Sequence, residues 1–270
     1  MILGAMKCGT TSLAHILSTH ADIGFAVPKE TDFFVDSPSW KDEIANYHRF
    51  FPQANKKLYG EGSTCYTKYP RFNLEIWKDI YEYNPAMKFI YMMRHPVDRL
   101  ISHYMHLYEM GYIDTAIEEA IVYKAELVNV SRYYMQIKPY IDTFGKEQVL
   151  FVDFDEFIGE PKQVVESVSS FLDISTEAYG IKDLKKVHAN KTLGGPGKAH
   201  KKFYQPKGVY KHIRDHHPKL WRKITDNSRR AFTKKVALDD RHRRVVINMV
   251  RQDILKMQEV WDRDLSKWLK

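Results

Sequence analysis

The sequence predicts an α/β fold: a single P-loop-like domain over residues 1–270, with a central parallel sheet and helices on both faces. Three observations point there. A short apolar run, Met1-Ile-Leu-Gly4, leads directly into a turn rich in glycine and threonine and then a helix. The run from Met87 to Met93, apolar but for Lys88, lacks polar alternation, as in a strand buried on both faces of a parallel sheet. Between and after these runs, segments of helical periodicity alternate with further short apolar stretches. With 270 residues, 44% hydrophobic and 13% aromatic, the chain can form one full core.

Taken in order, strand one is expected at about Met1 to Gly4 and the first helix from Thr10 to about Ser18. Asp22 to Ala26 is short and extended. Leu58 to Gly62 is a second strand candidate, and Met87 to Met93 a third, ending at Arg94. A helix over Val97 to Tyr108 follows, opened by Pro96, whose missing N–H costs nothing in a first turn. Glu118 to Tyr140 reads as helical, with a break near Asn129-Val-Ser131. Gln148 to Val152 is another buried strand, and Pro161 to Leu172 an amphipathic helix. Ligands of such sheets bind beyond the carboxyl ends of the strands. Lys7, Glu61 and Arg94 all fall just after expected strands, on one edge.

Composition narrows the class. Lysine and arginine number 42 against 34 acids, a net charge of +8 that attracts anions. The excess concentrates late, between Lys198 and Lys235, and reads as a solvated helical face. No helix-turn-helix spacing, zinc-finger cysteine set or RNA-binding aromatic motif accompanies it, so no nucleic-acid partner is expected. Two cysteines form no disulfide framework. No charged-then-apolar leader opens the chain and no apolar run reaches about 18 residues, so a cytoplasmic protein without a transmembrane segment is expected. His212, His216 and His217 share helical spacing, but no cysteine or carboxylate completes a metal site.

The chemistry begins at Gly4-Ala-Met-Lys7-Cys8-Gly9-Thr10-Thr11-Ser12. Gly4 and Gly9 are spaced as in a phosphate-binding P-loop, whose backbone N–H groups cradle an anion at a helix N-terminus. Position 10, where a nucleotide triphosphatase needs lysine, is threonine, and the lysine sits three residues earlier as Lys7. Such a loop suits an anion shorter than a triphosphate. Lys-Cys-Gly-Thr-Thr-Ser-Leu resembles the 5′-phosphosulfate loop of the sulfotransferase family, which uses 3′-phosphoadenosine 5′-phosphosulfate (PAPS) and leaves the 3′,5′-bisphosphate (PAP). Arg94-His-Pro96-Val-Asp98-Arg99-Leu-Ile-Ser102 is similar to the family's 3′-phosphate site. Pro28-Lys29-Glu30-Thr31-Asp32-Phe33-Phe34 resembles the segment that carries a glutamate base in heparan-type and bacterial members. Leu58-Tyr-Gly-Glu61-Gly62-Ser63-Thr64-Cys65-Tyr66 is similar to the strand and loop lining the acceptor cleft, except that Gly62 stands where the heparan type has lysine.

The resemblance implies a sulfotransferase, moving sulfonate in line and without a metal to a hydroxyl of a glycan, lipid or small molecule. Lys7 would act on the bridging oxygen and leaving phosphate, and Glu30 would take the acceptor proton. Lys7, Cys8, Gly9, Thr10, Thr11 and Ser12 would hold the 5′-phosphate, and Arg94 with Ser102 the 3′-phosphate. Glu30, Phe33, Glu61 and Tyr66 would line the acceptor site. Glu61 or His103 is the next candidate base. The Gly/Lys segment from Gly194 to Gly208 is expected to close over the nucleotide. Each motif has a simpler reading: a helix cap without ligand, an Arg94–Asp98 ion pair, a surface Glu30, and Phe33-Phe34 in the core. Rival functions are a small-molecule kinase using ATP, disfavoured by Thr10 and the lack of a clear Walker-B aspartate, and a non-catalytic module binding a nucleotide or polyanion.

Overall fold

A computed structural model describes residues 1–35, 39–177, 179 and 236–270. Among these, strands β1 (Ile2–Gly4), β4 (Phe89–Met93) and β5 (Val149–Asp153) form a parallel sheet in the order β1-β4-β5. Strands β2 (Ile23–Phe25) and β3 (Leu58–Gly60) make a second parallel pair. The Ile2 amide donates to the Glu61 carbonyl at 2.8 Å, just past the end of β3, so the pair joins the edge of β1. All five positions of β4 are buried, which requires cover on both faces of the sheet.

Helix α1 spans Thr10–Ser18, as its sequence expects, and buries Leu13, Ala14, Ile16 and Leu17. Helix α4 (Pro96–Glu109) follows β4 with proline in its first turn and the His95 ring accepting from the Val97 amide. The expected helix over 118–140 is three pieces: α5 (Ile117–Tyr123), α6 (Ala125–Asn129) and α7 (Tyr133–Phe144). The additional break is at Lys124, whose φ of −105° and ψ of 74° leave the helical region. Helices α2 (Trp40–His48), α3 (Ile76–Tyr83), α8 (Phe154–Gly159) and α9 (Pro161–Leu172) complete the middle of the chain. Of these only α9 is anticipated from periodicity.

Helix α10 (Asp240–Trp261) carries Val246, Ile247, Val250, Ile254 and Met257 into the core. It meets α7, where the Asp253 carboxylate accepts from the Tyr134 and Met135 amides and so caps that helix from outside. A closing 3₁₀ turn, Ser266–Leu269, buries Trp268 against Tyr133. Lys267 and Arg263 meet the buried Asp153 at the end of β5, at 3.0 and 3.4 Å. The C-terminus is thereby fastened beside the strand ends that bear the site. Among the described residues, no helix is long and apolar enough to cross a membrane. His212, His216, His217 and the segment 194–208 lie outside the described residues.

Candidate active site

The loop between β1 and α1 is shaped by its backbone. Lys7 adopts φ of 73° and Gly9 of 86°, both left-handed. That conformation costs a lysine about 1–2 kcal/mol, so it persists because the surroundings impose it. Gly9 is needed twice over, since a Cβ there would also lie 3.0 Å from the Phe154 ring. At Gly4 a Cβ would come within 2.5 Å of the Thr67 hydroxyl, which donates to the Leu3 carbonyl behind the loop. The Ala5 amide donates to Met92 at 2.7 Å and fixes the loop to β4.

Helix α1 has no side-chain cap and no acid in its first turn. Its first amides have no intrahelical acceptor, and those of Gly9, Thr10 and Thr11 meet no other among the described residues. The helix dipole adds positive potential at the same place. The Ser12 amide already donates to the Gly9 carbonyl, so Ser12 brings only its hydroxyl. Cys8 departs from expectation. Its amide donates to Ala5 and its side chain is fully buried beside Tyr133, so neither can hold a phosphate. Burial pushes its thiol up to about 12. Cys8 is packing beneath the loop.

Lys7 is half-buried, and desolvation lowers its pKa, opposed by Glu109 and assisted by Arg94. Arg94 stands one residue beyond β4. Tyr133 grips its backbone on both sides, accepting from the amide at 3.4 Å and donating to the carbonyl at 2.7 Å. The guanidinium lies 4.8 Å over the Phe154 ring. Its Nε is buried without a hydrogen-bond partner among the described residues. The simpler reading, a pair with Asp98, is not what forms, because Asp98 lies 4.0 Å from Arg243 instead. Ser102 is half-buried on α4, two turns into the helix. Lys7, Arg94 and the bare N-terminus of α1 thus converge on the carboxyl ends of β1 and β4, the adjacent strands.

Glu30 lies in a loop whose amides at Thr31 and Asp32 donate to the Ser63 hydroxyl. Its carboxylate is 39% exposed and pairs with Lys29 at 2.7 Å. Lys29 also donates to the Gly62 carbonyl, and a Cβ at Gly62 would lie 3.4 Å from its ammonium. Asp32 and Cys65 are close enough to Glu30 for its charge to raise both, although burial is the larger cause in each.

Glu61 and Tyr66 do not line the acceptor cleft. Glu61 is 1% exposed and accepts from Thr31 and Ser63 at 2.6 Å each, Tyr47 at 2.9 Å and Tyr66 at 3.2 Å. Burial raises its pKa against those hydrogen bonds. It is a buried hub under the Glu30 loop, and Tyr66, also buried, is one of its spokes. Phe33 is half-buried and stacks on Tyr47 at 4.9 Å, and Phe34 is in the core. His103 is likewise interior, 3.2 Å from the buried Arg99 and held well below the usual histidine range by burial and that charge. Neither it nor Glu61 is placed to serve as a base. Sequence reasoning passed over Phe154 and Tyr133, which shape Arg94 from segments remote in sequence. Nothing in local spacing marks either.

A family model described as "Sulfotransferase domain" matches residues 1–238. A bifunctional heparan sulfate N-deacetylase/N-sulfotransferase 1 from Caenorhabditis elegans is 22% identical over 190 residues, 64% of this chain and 22% of that protein. Heparan sulfate glucosamine 3-O-sulfotransferase 5 from Mus musculus is 26% identical over 189 residues, 64% of this chain and 53% of that protein. The chain therefore spans no more than about half the length of these curated relatives. A sulfotransferase crystal structure from Alicyclobacillus acidocaldarius is 25% identical, with a TM-score of 0.70, covering 100% of this chain and 97% of that one. The sulfotransferase domain of the curacin biosynthetic pathway shares the fold, with a TM-score of 0.51 over 95% of this chain and 96% of that one, at 13% identity. The chain belongs to the sulfotransferase family.

Proposed function

We propose that the chain is an enzyme that transfers sulfonate from PAPS to a hydroxyl of a glycan, lipid or other small acceptor. One observation carries the reading. Two cations without an acidic partner in ion-pair range among the described residues, Lys7 and Arg94, stand with uncapped helix amides at the ends of adjacent strands. That set fits a nucleotide with phosphates at both the 5′ and 3′ positions. The amides of Gly9, Thr10 and Thr11 hold the 5′-phosphate, and Arg94 with Ser102 the 3′-phosphate.

In the transfer, the sulfur–oxygen bond to the 5′-phosphate breaks as the acceptor oxygen bonds to sulfur. Charge builds on the departing phosphate oxygen, where Lys7 stabilises it more in the transition state than in the ground state. Glu30 accepts the acceptor's proton, for which it must come within about 3 Å of the hydroxyl. The half-exposed, ion-paired Glu30 is reachable, unlike Glu61. The glycan names of the curated relatives favour a sugar among the candidate acceptors.

Calorimetry with the 3′,5′-bisphosphate and with adenosine 5′-phosphate tests the donor. Loss of charge-assisted contacts to the 3′-phosphate should weaken binding by about tenfold or more, at about 1.5–3 kcal/mol per such bond. Equal affinities would remove the 3′-phosphate assignment. A preference for ATP with magnesium would favour a kinase instead.

A further inference from the structure

The Phe154 ring occupies a place that neither phosphate motif explains. It begins α8, directly after β5, and is only half-buried. One side approaches Gly9 so closely that a Cβ there would be 3.0 Å from two of its ring carbons. Arg94 lies over it, the guanidinium carbon 4.8 Å from the ring centroid. Asp153, the preceding residue, is fully buried and held by Lys267 and Arg263, and its carboxylate accepts from the Asp155 amide. The ring's root is therefore fixed on three sides. Arg94 has its backbone locked by Tyr133, but among the described residues no acid or hydrogen-bond acceptor fixes its Nε. An arginine side chain so placed retains much rotamer freedom unless a surface restrains it, and an aromatic face does so without neutralising its charge.

We propose that Phe154 is the positioning residue of the nucleotide site: its ring, set between Gly9 and the Arg94 guanidinium, aims Arg94 at the 3′-phosphate. This rests on the reading of Arg94 as the 3′-phosphate ligand. A carboxylate in the same place would hold Arg94 as firmly but cancel the charge that the phosphate needs.

Calorimetry on the whole chain separates this role from general packing. Phe154→Ala should weaken the 3′,5′-bisphosphate by about tenfold, the scale of a partly desolvated cation–π contact, and adenosine 5′-phosphate by less than about twofold. In an Arg94→Ala background the same substitution should add little, because the ring would have no cation left to aim. Phe154→Tyr keeps the face and should bind as the parent does. Phe154→Leu, which retains most of the volume, should show the same selective loss and replaces the alanine variant should that fail to fold. Equal weakening of both nucleotides, or additive losses with Arg94→Ala, would overturn the proposal and leave Phe154 as packing. A parent protein that does not distinguish the two nucleotides would instead overturn the 3′-phosphate reading beneath it.

Discussion

Replacing Glu61 with alanine probes the hub that supports the Glu30 loop. Four hydroxyls, from Thr31, Ser63, Tyr47 and Tyr66, donate to one carboxylate that is 1% exposed. Each hydroxyl left inside without an acceptor costs about 1–3 kcal/mol. Thr31 and Tyr66 already lie 3.3 Å apart and can pair with each other, which leaves Tyr47 and Ser63 stranded. The variant also escapes the cost of burying a charge, which offsets part of the loss. The net destabilisation should be about 3 kcal/mol, read by urea denaturation at constant slope. Glutamine keeps one acceptor and the side-chain volume, and should stay within about 1 kcal/mol of the parent. Burial raises the Glu61 pKa in the fold. The stability of a group with a raised folded pKa is fully present below its unfolded pKa, about 4.3, and is lost as pH climbs through the folded value. The glutamine variant should therefore gain on the parent as pH rises above the ordinary carboxylate range. Because Ser63 and Tyr66 also hold the Thr31, Asp32 and Phe34 amides, Glu61→Ala should lower turnover while leaving bisphosphate affinity intact. An alanine variant as stable as the parent, or a glutamine variant that loses ground to the parent as pH rises, would refute the reasoning.

Other expectations follow from the same geometry. Lys7→Ala should cut kcat far more than it weakens donor binding, since its contact strengthens as charge builds on the leaving oxygen; steady-state kinetics showing only a raised donor KM would make it a binding residue. Glu30→Gln should lower kcat by about 10² to 10⁴ with an alcohol acceptor, less for a more acidic hydroxyl, with bisphosphate affinity unchanged by calorimetry. The Asp253 carboxyl, capping α7 from α10, is raised by burial from 3.8 to about 6. That group's contribution is present below about pH 4 and lost by about pH 6, a swing of about 3 kcal/mol at 1.36 kcal/mol per unit. Thermal melts of Asp253→Asn across that range should lack the swing.

The strands and the loop between β1 and α1 are legible because they are local. Apolar runs such as Phe89–Met93 announce burial on both faces, and the Gly9-Thr10-Thr11 turn announces a helix start, which falls at Thr10. Arg94 was legible from its place after a strand, and its freedom from Asp98 was settled only by the fold. What local pattern hides is burial of polar residues. Glu61, just beyond the end of β3, looks like a site carboxylate until Tyr47, nineteen positions from Tyr66, meets it from α2. Cys8 sits in the loop by number but under it in space, because its amide is spent on Ala5. Phe154 and Tyr133 reach the site from the far ends of β5 and α7, distances in sequence that no motif spans. The split of the helix at Lys124 had no glycine or proline to mark it.

Sulfonate transfer itself is the most direct test. Sulfur-labelled PAPS, supplied without added metal to the parent chain and to Lys7→Ala and Glu30→Gln, should pass its label to a hydroxyl-bearing acceptor within a panel of glycans, lipids and small alcohols. The label should move with the parent and be strongly reduced with both variants. Tight binding of the bisphosphate with no label reaching any acceptor, and no PAPS consumed beyond its uncatalysed rate, would contradict an enzyme and leave a nucleotide-binding module.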